Sequence, residues 1–261
     1  MRITKNASKV AKTRKIHFEG LEDRRLMAGD VTVGLVKGEA VVTGDGASNA
    51  VWIREISANT SRVEGQVHAG SATKVNGKAF VDIYTRQDDL RVDMGKGNDS
   101  LWIGNKAGAA AMTVEDLTIK MGNGSDYLQL GNLQVYDKFD PVNITMGDES
   151  SLDGDDEIDM GNVAFAASVN ILMGKGVDEC EMRNVTIRDD LSIDTGSGND
   201  EVELASVTAD EFFIKLGSGD DTLELEKVKA RRTTADGGAG RDTLQLRSGN
   251  QLGSRSFTSF V

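Results

Sequence analysis

One proline, one cysteine and two histidines in 261 residues, with aromatics at 5%, exclude several protein classes at once. A single cysteine cannot build a disulfide framework within the chain, and Cys180 stands where neighbouring repeats carry Leu, Val or Ile, so it reads as a small buried hydrophobe. The two histidines, His17 and His68, are far apart and converge on nothing resembling a triad or a histidine metal site. So few aromatic residues argue against a compact enzyme core and favour thin aliphatic layers of Leu, Ile, Val and Met. No run of 18 apolar residues occurs, so no stretch suits a membrane-spanning helix. Positive charge is also scarce outside the N-terminus. Residues 1–25 hold eight of the 30 bases and three of the 42 acids, which leaves the remainder at −17. Such a body repels phosphate backbones, so nucleic acid is an unfavourable partner.

What the chain has in quantity is glycine, 30 residues of it, and 13 of them fall into one recurring string. Gly-x-Gly-x-Asp followed by apolar-x-apolar echoes seven times, closing at Asp99, Asp126, Asp156 (with Gly154 alone), Asp178, Asp200, Asp221 and Asp242, and from Asp156 onward the period is 21–22 residues. Aligned on the Asp, the apolar residues form columns. Two and four positions later stand pairs such as Leu101/Ile103, Cys180/Met182 and Leu223/Leu225. Earlier in each unit come triplets such as Leu90/Val92/Met94 and Phe212/Ile214/Leu216, and a third pair such as Val185/Ile187 follows. Alternation of this kind turns one face of a strand inward, and three short strands per period enclose a shared interior. The expected fold is all-β: a parallel β-helix, or β-solenoid, with coils of about 21–22 residues behind a disordered leader. Residues 1–29 are expected to be that basic leader, 30–88 one or more N-terminal coils with an irregular hairpin segment, 89–246 the repeats, and 247–261 a C-terminal cap. Asn49 takes the place of the Asp in a first, partial unit. Val75-Asn76-Gly77-Lys78 reads as a hairpin turn. Asn105, Asn132, Asn162 and Asn184, followed by Ser206 and Lys227, mark a corner at which stacked amides can hydrogen-bond along the axis.

The leader has basic residues but no apolar segment behind them, unlike an ordinary signal peptide. Phe18-Glu-Gly-Leu-Glu-Asp-Arg-Arg-Leu-Met-Ala28 resembles the LEPR-XLL motif, a short N-terminal element of large repetitive exported proteins of planctomycete bacteria. Leu21, Glu22, Arg24 and Leu26 match it. Asp23 stands where the motif has proline and Met27 where it has leucine. The resemblance covers about a dozen residues and implies a sorting or processing signal, hence an extracellular or cell-surface location.

The Gly-x-Gly-x-Asp string is similar to the calcium-binding nonapeptide of RTX proteins, and that resemblance implies cations held between turns by carbonyls and carboxylates. On it, the metal-ligand candidates are Asp99, Asp126, Asp156, Asp178, Asp200, Asp221 and Asp242, with Asp153 and Asp155 in the acidic insertion. The spacing departs from that family, because only one turn per coil carries the motif. Asp also bonds readily to its own turn backbone, so both readings stand. For catalysis, Arg183, Arg188, Arg231 and Arg232 are the available basic groups for a lyase-like groove, and none carries a motif. The expectation is a non-enzymatic, exported or cell-surface, structural or adhesive solenoid. Calcium is its conditional cofactor and a surface or matrix polymer or protein its partner. The alternatives are a polysaccharide lyase-like β-helix and a calcium-independent scaffold.

Overall fold

The structure, a computed structural model, describes residues 29–58, 60–68, 71–84, 89–147 and 154–261. Among them there is no helix, and the chain winds as a parallel β-helix with three faces. Face 1 stacks Glu39–Thr43, Leu90–Asp93, Leu117–Lys120, Val142–Thr145, Val169–Lys175, Leu191–Ser197 and Glu211–Lys215, then the second halves of Lys229–Asp236 and Gln251–Thr258. Face 2 stacks Ala50–Ser57, Ser100–Ile103, the first half of Tyr127–Val135 and its successors, ending at Thr243–Leu246. Face 3 begins at Met112–Val114 and runs through the second halves of the long strands to Gln251 and Leu252.

Each inward column is a run of buried apolar side chains. Val51, Leu101, Leu128, Ile158, Cys180, Val202 and Leu223 occupy one, and Met94, Met121, Met146 and Met173 another. Like residues stack because parallel strands pair in register, and a one-residue slip would turn every one of them to solvent. Cys180 is wholly buried, and desolvation together with the Glu179 charge pushes its thiol up to about 12.

The corner between faces 2 and 3 has a physical cause that the amide pattern only hinted at. Asn132, Asn162, Asn184, Ser206 and Lys227 all adopt left-handed backbone, φ 51–60°. Asparagine tolerates this region best among non-glycine residues. One Asn–Asn bond links them, from Asn184 Nδ2 to Asn162 Oδ1 at 3.5 Å, so backbone conformation accounts for the column better than an amide ladder does. Asn105 does not share the conformation; Gly104 takes the turn there, at φ 117°.

The two ends differ. At the N-terminal end Asp30–Val36 pairs antiparallel with Glu39–Thr43, and Thr60–Gly65 pairs antiparallel with Ala50–Ser57, so both first edges are covered. Phe80–Ile83 lies antiparallel on Thr60–Gly65, and the Val75–Lys78 turn, with Asn76 and Gly77 at positive φ, closes a hairpin. Val31, Val63 and Val75 plug the interior. At the C-terminal end Gln251–Thr258 continues the parallel stacking as a further rung, with Phe257 paired to Ala235 and packed on the core.

Candidate functional sites

The seven repeat aspartates are buried, none more than 2% exposed, and each is bonded across coils. The Asn49 backbone N–H donates to Asp99 Oδ1 at 2.6 Å, Asp99 N–H to Asp126 Oδ1 at 2.7 Å, and Asp126 N–H to Asp156 Oδ1 at 2.8 Å. The series continues through Asp178, Asp200 and Asp221 to Asp242 at 2.8–3.1 Å. The carboxylate therefore serves the neighbouring coil's backbone, and at Asp200 the Thr195 hydroxyl of its own turn as well. Backbone N–H donors interleave the stacked charges that would otherwise repel. Desolvation dominates all the same. It pushes the Asp99 carboxyl up to about 8, with the Asp126 charge adding to the rise against the Asn49 N–H, and Asp221 up to about 6. The second carboxylate oxygens of Asp221 and Asp242 are buried with no hydrogen-bond partner.

A second ladder runs beside the first in the opposite sense, on the residues preceding each Asp. Ser48 Oγ accepts from Asn98 N–H, Asn98 Oδ1 from Ser125, Ser125 Oγ from Asp155, and Asp155 Oδ1 from Val177 at 2.8 Å. After a break at Val177 it resumes with Asn199 and Asp220 as acceptors. Asp155 thus holds the next coil from an exposed position. The sequence signal, a short polar acceptor just before the Asp, was present but hidden by the stronger Asp column. Asp153 and the sorting-motif residues Leu21, Glu22, Arg24 and Leu26 lie outside the described residues.

Among the described residues, the grouping suited to a metal ion involves none of the repeat aspartates. It comprises Asp116, Asp137 and Asp140, which each offer a carboxylate oxygen within 4.8 Å of the others. Asp116 precedes the face 1 strand Leu117–Lys120; the other two sit in a loop ending at the sole proline, Pro141. Burial pushes Asp116 up to about 7, reinforced by its hydrogen bond to Asp137 and by the charges of Asp137, Asp89 and Asp140. Asp137 accepts backbone N–H bonds from Lys138 and Phe139, which hold its carboxyl low. Three oxygen ligands of like charge suit a hard divalent cation.

Comparison with family models, curated proteins and solved structures finds no match. What the surface can do rests on its own geometry.

The arginines considered for catalysis are committed to ion pairs where pairing is seen. Arg183 pairs with Glu181 and Glu203, and Arg231 and Arg232 with Glu211, Arg231 also with Asp210. The described residues instead assemble a groove of about 490 Å³ on the outer side of face 2 near its N-terminal end. Both tryptophans of the chain line it. Trp52 and Trp102 are paired in register on adjacent coils, half-buried and pointing outward between inward-facing Val51/Ile53 and Leu101/Ile103. Tyr127 lies beside Trp102 on the next coil, ring centroids 5.9 Å apart and tilted by 59°.

One wall of this groove is an insertion. Asp99 and Asp126 are 27 residues apart where later coils need 22, and the extra residues form the loop after Gly104. Side chains tie that loop down. Trp52 Nε1–H donates to Gly104 O at 3.0 Å, Asn105 Nδ2 to Ala110 O at 2.8 Å, and Asn132 Nδ2 to Ala109 O at 2.9 Å. Gln129 and Asp159 follow Trp102 in the same outward column, joined by a 2.8 Å bond, and Glu181, Glu203 and Glu224 continue it.

Proposed function

We propose that the protein is an exported or cell-surface β-solenoid with a structural or adhesive role. The observation that carries this reading is that repeat chemistry is spent on stacking: the turn carboxylates bond neighbouring coils, which leaves the outward faces as extended surfaces. Solenoids offer such surfaces to large partners. The LEPR-XLL-like leader supports export. Calcium, on this proposal, belongs at Asp116, Asp137 and Asp140, where hard oxygen ligands gather, more than along the repeat aspartates, whose first oxygens are already taken.

The test is protease shaving and antibody labelling of intact cells that produce the full chain. Surface accessibility that disappears when residues 21–26 are replaced by alanine supports the reading. A protein confined to the cytosolic fraction with the leader intact overturns it. A lyase-like enzyme is the second reading; it has the fold's precedent, but the basic side chain that lines the groove just described, Lys106, lies over the Trp52 ring.

A further inference from the structure

The groove over Trp52 and Trp102 is the place where the repeat is broken on purpose-built lines. Elsewhere the outer side of face 2 carries carboxylates, as at Glu181, Glu203 and Glu224; here it carries two indoles on adjacent rungs, and the one long corner insertion of that region stands beside them. A structural column needs neither feature. Two half-buried indoles side by side, each with part of its ring turned to solvent, offer a flat amphipathic platform of the kind binding grooves use.

The lining chemistry selects among occupants. The floor is the outer face of strands that have a paired neighbour on either side, so a peptide cannot add there as a strand. A quaternary ammonium ligand would compete with cations already at the Trp52 ring, since the Arg54 guanidinium lies 4.8 Å and Lys106 Nζ 5.3 Å from its centroid. An anionic chain, whether nucleic acid or polyuronate, would meet Asp159 in the groove itself and a strongly acidic body around it. What remains is a ligand with an apolar face to lie on an indole and hydroxyls around its rim for Gln129 and Asp159. A pyranose ring has both. Rungs ~4.8 Å apart also advance at a rate close to that of an extended sugar chain.

We propose that the Trp52–Trp102 groove binds a linear glycan, with a pyranose ring stacked on Trp102, hydroxyls bonded by Gln129 and Asp159, and amino-bearing or neutral sugars preferred over uronates. The groove names a partner for the surface role proposed above. It shares no residue with the Asp116 cluster or the leader, so it can fail while that role stands, and the reverse.

The chain's own fluorescence reads the site, because both tryptophans lie in it. The full-length protein is titrated with a chitosan hexamer, chitohexaose, cellohexaose and a hexagalacturonate, following tryptophan emission and heat of binding. A saturable emission change with at least one amino or neutral hexamer, and at least tenfold weaker binding of the hexagalacturonate, is expected. Trp102→Ala, with an unchanged thermal melt as the folding control, is expected to weaken binding by tenfold or more. Asp159→Asn is expected to weaken binding of the chitosan hexamer more than binding of chitohexaose. No saturable change with any of the first three, or tighter binding of the uronate, overturns the proposal. Should Trp102→Ala fail to fold, Gln129→Ala, an exchange on the outer face, carries the same expectation and the same consequence.

Discussion

A Cβ placed on Gly198 would lie inside the van der Waals envelope of the Gly176 carbonyl oxygen in the preceding coil, and φ there is +149°. Gly219 and Gly240 meet the same obstruction from Gly198 and Gly219 in turn. The glycine column therefore answers two demands, left-handed backbone and close axial approach, and the second is invisible in one repeat read alone. Gly198→Val is expected to destabilise by about 3 kcal/mol or more, since strain and overpacking add. Ser197→Val, one residue away and partly exposed, should stay within about 0.5 kcal/mol. Equilibrium unfolding of both variants checks this, and equal losses would refute the steric account.

Strands were legible because inward columns alternate with a fixed period, and a parallel stack forces like residues to align. Insertions were legible only as failures of the pattern: the acidic one around Asp153 and Asp155 showed by its charge, but where a loop folds back did not. The Trp102 groove wall and the Asp137–Asp140 loop are both such failures: one adds the residues after Gly104, the other those before Val142. Sequence also offered no distance, so seven aspartates in a motif looked more like ligands than three that meet through space. At the level of these elements, calcium in the millimolar range is expected to raise the melting temperature and magnesium to raise it less. Asp140→Asn should abolish the calcium increment, whereas Asp155→Asn should keep it. A calcium response unaffected by Asp140→Asn would point back to the repeat turns.

For the whole molecule, the two kinds of carboxylate set opposing slopes with pH. Asp99, Asp116 and Asp221, with folded pKa values of about 8, about 7 and about 6 against an unfolded 3.8, bind more protons folded than unfolded. Their contribution is therefore present at low pH and falls as pH rises from about 4 to about 8. Asp45, Asp82, Asp210 and Asp236 are held low by hydrogen bonds or ion pairs, and their contribution is lost only in strong acid. Without calcium, the protein should melt at a higher temperature at pH 5 than at pH 8. Asp99→Asn should narrow that gap, because asparagine already occupies the equivalent turn at Asn49 and keeps the acceptor. A higher melting temperature at pH 8 would contradict the assigned desolvation. The two opposed turn ladders carry one further consequence. Because each repeat aspartate from Asp99 to Asp221 accepts from one neighbouring coil and donates to the next, those coils are interchangeable cassettes along the aspartate ladder. Duplication or loss of one whole period in the gene leaves these columns in register, whereas a fraction of a period keeps them only where it loops out at a corner, as the residues after Gly104 do. The height of the stack is thus free to change over generations, but only in whole coils.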